Sequence, residues 1–274
     1  MTVEELLVYG KQYIHKDHAK ILLAELIGKN PLELLNYLNY EVSKEYEELY
    51  KKEVQRLKEG QPLQYVMGYV NFYGNRFEID KRVLIPRFET EELVENTINY
   101  INKYFKEPID LIDLGCGSGV IGITIEKKVS TNSVDLIDIS EDALEVAHKN
   151  CEKLNSKANL IKSDFFSNIN KKYDVIISNP PYIMEDEEIE PIVRDNEPHQ
   201  ALYAGEKGLD CYKKILKDIN NHCKERCLIA FEIGANQKDL IIDLINTYIK
   251  KSTIIVKKDL SGKDRMIFIL INLE

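Results

Sequence analysis

From Ile109 onward, short apolar runs alternate with segments of helical period, and this alternation limits the fold more than any other feature. Strands are predicted at Ile109–Leu114, Val134–Asp138, Asn159–Ile161, Tyr173–Ser178, Cys227–Ile233, Thr253–Lys258 and Met266–Ile271. Helices fit between the early ones, at Ser140–Leu154 and Leu209–His222. Such alternation implies a parallel sheet covered on both faces. The last two strands are joined only by SGKDR. That is too short for a parallel crossover, so this pair must be antiparallel. The expectation is an α/β fold: a seven-stranded Rossmann-like sheet with an antiparallel last strand.

The residues before this region read differently. Thr2 and Glu5 have capping-box spacing, and His18 to Lys29 carries apolar residues at helical intervals. Asn30-Pro31 followed by Glu33 is a further helix-start signal, and Ser43 opens a charged helix that Gly60 closes. QPLQYVMGYVNFYGNRFEID then reads as a connector with a β-hairpin reaching about Ile85-Pro86, followed by a helix from about Glu89 to Phe105. We therefore expect a small helical recognition domain at 1–75, its connector extending to about 86, and a larger domain at 76–274.

Composition narrows the function classes. Lys plus Arg is 37 against 46 Asp plus Glu, a formal net charge of -9. Neither the first 80 residues nor the remainder is net basic, which argues against a stable nucleic-acid partner. No apolar run approaches the length of a membrane span, and MTVEELLVYG lacks the basic-then-apolar order of a signal peptide. A cytoplasmic protein with no membrane association is expected. Five cysteines without regular spacing make a poor disulfide framework. Cys223 and Cys227 sit four apart on an expected helix end, with no second pair at ligand spacing, so no metal site is expected.

Chemistry concentrates in two loops. In DLIDLGCGSGVIGI, an apolar strand runs into Gly115, Cys116, Gly117, Ser118 and Gly119 and then into a helix. Glycines there let the backbone pass close to a ligand. The next strand ends at Asp138, where a carboxylate can accept from ribose hydroxyls, although capping the following helix is the alternative. The third strand ends at Ser163-Asp164-Phe165-Phe166, where Phe165 either covers a ring face or belongs to the core. The Gly-x-Gly-x-Gly spacing differs from the Gly-x-Gly-x-x-Gly of NAD sites. Together with the loop described next, it favours S-adenosylmethionine, with S-adenosylhomocysteine as the product.

That loop is Asn179-Pro180-Pro181-Tyr182, directly after the apolar strand YDVIIS. Its prolines remove two N–H donors and stiffen the backbone. The Asn179 side-chain carbonyl and the Pro180 backbone carbonyl remain as acceptors, matching the two donors of a planar –NH₂ group. Tyr182 offers a stacking surface. This suits methylation of a conjugated nitrogen, by positioning rather than by a His–carboxylate or Cys–His pair. The acidic run Glu185–Glu190 is either a solvated face or a contact for a basic partner. Glu232, near the end of the fifth strand, is structural or faces the crevice.

The two loops together resemble amino-group methyltransferases acting on adenine, guanine or glutamine. The seven-stranded pattern is similar to that of Rossmann-like methyltransferases. PLQYVMGYVNFYGNRFEID, LIPRFETEELVE, EPHQALYAGEKGLDCYKKI, FEIGANQ and KKDLSGKDRMIFI narrow the resemblance to the peptide chain release factor glutamine methyltransferases, over nearly the whole chain. The resemblance implies methyl transfer to the side-chain amide nitrogen (N5) of the glutamine in the Gly-Gly-Gln motif of class-1 release factors. It implies that Gly115 through Gly119 hold the methionine part of the cofactor, Asp138 its ribose and Phe165 its adenine side. Asn179, which also borders the cofactor, and Pro180 would grip the glutamine amide. Pro181 and Tyr182 would complete that pocket, and the helical domain would contact the release factor. Arg87-Phe88-Glu89-Thr90-Glu91 departs from the Arg-Pro-Asp-Thr-Glu usual in that family. The alternatives are a nucleic-acid base methyltransferase (adenine N6 or guanine N2) and a non-catalytic cofactor-binding protein.

Overall fold

The computed structural model describes residues 1–273. The chain forms two compact units: Met1–Tyr69 with Glu190–Asn196, and Val70–Ile189 with Glu197–Glu274. In the first unit, α1 (Val3–Lys11) starts from a complete capping box between Thr2 and Glu5. It is followed by α2 (Lys16–Leu26), α3 (Lys44–Lys58), capped by the Ser43 hydroxyl, and α4 (Leu63–Met67). Their apolar faces meet in one small core around Leu6, Leu23, Leu34 and Tyr50.

The start signal at Asn30-Pro31 leads to a turn and a short 3-10 helix, Leu34–Tyr37, rather than to an α-helix. The Asn30 carboxamide accepts from the Leu32 N–H at 2.9 Å. That turn satisfies the backbone locally.

The second unit begins inside β1 (Tyr69–Phe72), which forms a hairpin with β2 (Asn75–Glu78). Tyr73 and Gly74 both take positive φ in its turn, the geometry that matches strand twist. After α5 (Phe88–Tyr104), the order is β3 (Ile109–Leu114), α6 (Val120–Glu126), β4 (Thr131–Asp138), α7 (Glu141–Leu154), β5 (Asn159–Lys162) and β6 (Tyr173–Ser178). There follow α8 (Pro191–Arg194), which belongs to the first unit, α9 (Asp210–His222), β7 (Cys223–Glu232), α10 (Lys238–Tyr248), β8 (Thr253–Lys258) and β9 (Asp264–Ile271).

The seven long-sheet strands lie in the order β5-β4-β3-β6-β7-β9-β8. All neighbours are parallel except β9, which runs antiparallel to β7 and β8. The sheet is buried on both faces by alternation. Leu111, Val175, Leu228 and Phe268 point into a core with α5, α6 and α7, while Ile112, Ile176, Ile229 and Ile269 point into one with α9 and α10.

Cys223 is both the C-cap of α9 and the first residue of β7, and Cys227 lies inside the strand rather than on the helix end. The segment pairs with β6, with a register irregularity after Tyr173↔Cys223. Sheet pairing thus begins four residues earlier than the expected strand start at Cys227. All five cysteines are free thiols.

Candidate active site

The strand order reverses between β3 and β6, and their carboxyl ends open a crevice. Register brings the two loops together. Asp113 of β3 lies beside Ile177 of β6, so the glycine loop and the Asn-Pro-Pro-Tyr loop leave the sheet side by side. The Ser178 hydroxyl ties them by donating to the Leu114 carbonyl at 2.5 Å. A cavity of about 480 Å³ sits above, lined among others by Gly115, Asp138, Phe165, Asn179 and Pro181, within the usual range for a small-molecule site.

The glycine loop is held from several sides. The N–H groups of Gly115 and Cys116 both donate to the Ile137 carbonyl at 2.8 Å, and the Gly119 N–H donates to the Cys116 carbonyl at 2.8 Å. Gly119 has φ +79, and a Cβ on it would lie 2.9 Å from Ile123 Cδ1. The positive φ favours glycine there, and a Cβ would also oblige the Ile123 side-chain tip to move. From α7, buried Asn150 donates to the carbonyls of Ser118 and Glu78, each at 2.9 Å, and accepts from the Glu78 N–H at 2.6 Å. Sequence reading missed Asn150, because a single polar residue in an amphipathic helix looks like part of its wet face.

Asp138 reaches into the same wall. One carboxylate oxygen accepts from the Gly117 N–H at 2.9 Å and the other from the Ser140 N–H at 2.9 Å. Burial raises its pKa, and these N–H groups oppose the shift. The cap of α7 is Ser140, whose hydroxyl accepts from Ala143, so Asp138 is not needed for capping. Phe165 is half-buried, with φ 49, a conformation costly for an aromatic residue. It both lines the cavity and packs on the core. Beside it, Asp164 pairs with Lys214. Burial pushes the Cys116 thiol well above its ordinary value, so it stays protonated and is no nucleophile.

Of the residues singled out from sequence, Gly115, Cys116, Gly117, Ser118, Asp138, Phe165, Asn179 and Pro181 line the cavity. Gly119, Pro180 and Tyr182 are not among the residues that line it. The Asn179 amide Nδ2 donates to the Thr90 hydroxyl at 3.3 Å. Thr90 donates to Glu232 Oε2 at 2.7 Å, and the Tyr182 hydroxyl faces Glu232 Oε1 at 3.5 Å. Glu232 is thus behind the Asn-Pro-Pro-Tyr loop, and burial pushes its pKa up to about 7.

The stretch Arg87–Glu91 opens α5. Phe88 is the first residue of α5, the position where proline is otherwise favoured. Arg87 pairs with Glu197 at 2.6 Å, and Glu197 also accepts from the Ile85 N–H at 3.0 Å. Glu185 to Glu188 are exposed. Among the described residues, no His, Cys, Asp or Glu group is arranged to hold a metal ion, and no helix is long and apolar enough to cross a membrane.

Comparisons with known proteins bear on the fold and the family. A family model described as "Methyltransferase small domain" matches residues 92–196, and one described as "PrmC N-terminal domain" matches residues 12–68. A solved methyltransferase from Pyrococcus furiosus shares the fold, with TM-score 0.54 and 16% identity over 74% of this chain and 91% of that one. A 16S rRNA methyltransferase from T. Thermophilus, in complex with AdoMet and guanosine, has TM-score 0.54 and 13% identity over 74% of this chain and 49% of that one. The release factor glutamine methyltransferase of Bacillus subtilis is 37% identical, over 99% of this chain and 98% of its own. That of Bacillus cereus is 33% identical over 98% and 99%, and that of Clostridium botulinum 35% over 97% and 98%. With identity at this level sustained from the helical unit through the last strand, the chain belongs to the release factor glutamine methyltransferase family.

Proposed function

We propose that this protein transfers a methyl group from S-adenosylmethionine to the side-chain amide nitrogen (N5) of the glutamine in the Gly-Gly-Gln motif of class-1 peptide chain release factors. The observation that carries the reading is the position of Asn179 at the tip of β6, beside the glycine loop at the tip of β3 and on the same cavity.

The cavity suits that cofactor. Its wall combines glycine backbone, the Asp138 carboxylate and the Phe165 ring. A Cβ on Gly117 would project into open space at this wall. Gly115 through Gly119 would hold the methionine part, Asp138 the ribose and Phe165 the adenine side. Bound there, the cofactor supplies the methyl group as an activated sulfonium electrophile.

The chain's own task is to present a poor nucleophile. An amide nitrogen shares its lone pair with the carbonyl. Acceptance of its two N–H groups by Asn179 Oδ1 and the Pro180 carbonyl would aim the nitrogen and increase its electron density. Proline at 180 and 181 keeps competing N–H donors out of this acceptor pair. Pro181 and Tyr182 would close the pocket around the flat amide. The unit containing Met1–Tyr69 would recognise the release factor. The reading needs no metal, nucleic acid or membrane, and puts the reaction in the cytoplasm with its substrate.

The direct test uses purified release factor and cofactor labelled in its methyl group. Label should enter the Gly-Gly-Gln factor and not its Gln→Ala variant. Equal labelling of the two would overturn the assignment, and efficient transfer to DNA or RNA without a protein acceptor would favour base methylation.

A further inference from the structure

We infer that Glu232 and Thr90 are positioning residues: the buried Glu232 carboxylate, acting through the Thr90 hydroxyl, sets which end of the Asn179 carboxamide faces the substrate. This rests on the glutamine-methylating reading and adds a part that the Asn-Pro-Pro-Tyr loop does not contain.

Thr90, on the first turn of α5, is 3% exposed, and Glu232, the last residue of β7, is 1% exposed. Both are largely withdrawn from solvent, Thr90 reaching only the cavity it helps to line. A hydroxyl has one proton to give. Thr90 gives it to Glu232 Oε2 at 2.7 Å, so towards the cavity its oxygen only accepts. Asn179 meets it with Nδ2, at 3.3 Å.

A carboxamide is planar, so turning its –NH₂ to Thr90 turns Oδ1 away from Thr90. Oδ1 is the acceptor that a substrate –NH₂ needs. The chain carboxylate–hydroxyl–amide also draws electron density towards Oδ1, strengthening it as an acceptor. The Tyr182 hydroxyl, 3.5 Å from the other Glu232 oxygen, brings the loop's far end to the same carboxylate.

Protonation of Glu232 removes the constraint. A carboxylic acid can itself donate to Thr90, and Thr90 can then donate to Asn179 Oδ1. The amide would reverse and present N–H groups to a substrate that also offers N–H groups. The groups facing Glu232 are Glu89 on α5, Tyr182 on the loop, Tyr212 on α9 and Arg265 on β9. Burial outweighs Arg265 and the hydrogen bonds, so the carboxylate titrates at about 7. The competent form is the charged one, and kcat should rise with pH through that region.

The test is steady-state methylation of a purified release factor from pH 5.5 to 9, with cofactor affinity followed by calorimetry. Wild type should show the acid limb in kcat. Glu232→Gln, which keeps size but cannot titrate, should lose that limb and fall about 10-fold at pH 8. Thr90→Val, which keeps shape but not the hydroxyl, should lower kcat about 100-fold with cofactor affinity within about threefold. Thr90→Ser should restore kcat to within about threefold of wild type. An acid limb retained in Glu232→Gln, or full kcat in Thr90→Val, overturns the inference. Should Thr90→Val fail to bind cofactor, the Glu232→Gln profile decides alone. Wild type inactive on the release factor would instead sink the reading on which the inference rests.

Discussion

The Gly117 N–H donates to the Asp138 carboxylate at 2.9 Å, joining the glycine loop after β3 to the tip of β4. One side chain thereby shapes the loop and offers its remaining lone pairs to the cavity. Asp138→Ala should remove both roles. Hydrogen bonds to a charged group contribute about 1.5–3 kcal/mol each, so S-adenosylmethionine affinity should drop at least about 10-fold, with Asp138→Asn intermediate. Calorimetric titration checks this; unchanged affinity in the alanine variant would remove Asp138 from the cofactor site.

Substitution of Asn179 should separate binding from turnover. Asn179→Ala deletes the acceptor proposed for the substrate amide but leaves the glycine loop and Asp138 intact. We expect kcat to fall by about 100-fold or more, with cofactor affinity changed by less than about fivefold. Rapid-quench labelling beside calorimetry measures both, and a variant with near-normal turnover would contradict the assigned role.

Gly119 tests the loop's backbone. At φ +79, with a Cβ 2.9 Å from Ile123 Cδ1 and 3.3 Å from Leu136 Cδ1, alanine meets both strain and crowding. Gly119→Ala should destabilise the protein by about 1–3 kcal/mol. Urea unfolding reads this directly; a stability loss below about 0.5 kcal/mol would mean the loop relaxes freely.

Asp113 should make stability depend on pH. It is fully buried beneath the glycine loop. Oδ2 accepts from the Gly122 N–H at 2.9 Å, while Oδ1 has no hydrogen-bond partner. Burial pushes its pKa up to about 7. In the unfolded chain the group titrates near the ordinary value of about 4. Between those values the folded state holds more protons, so stability falls as pH rises and levels off above about 7. Asp113→Asn should reduce the stability lost between pH 4 and 7.5 by about 2–4 kcal/mol. Chemical denaturation at both pH values checks it, and identical pH dependence in the two proteins would count against it.

The sequence by itself determined the order of the sheet-forming segments, the antiparallel end and the two loops that border the cavity. It could do so because each is a local property. Apolar runs such as Tyr173–Ser178 keep their form whatever packs on them, Ser140 caps the helix it precedes, and glycines and prolines restrict the backbone where they stand. Tertiary structure alone decided the rest. It moved Cys223 into a strand, because β6 offers a hydrogen-bonding edge there. It stopped the Asn30-Pro31 start at a single turn. It assigned Glu190–Asn196 to the helical unit. It also brought Thr90 and Glu232 behind Asn179, from positions 89 residues before it and 53 after it. A hydrogen-bonded relay between distant segments leaves no periodicity in the chain. Its members become legible only when folding removes water and leaves each buried donor and acceptor to find its partner in the protein.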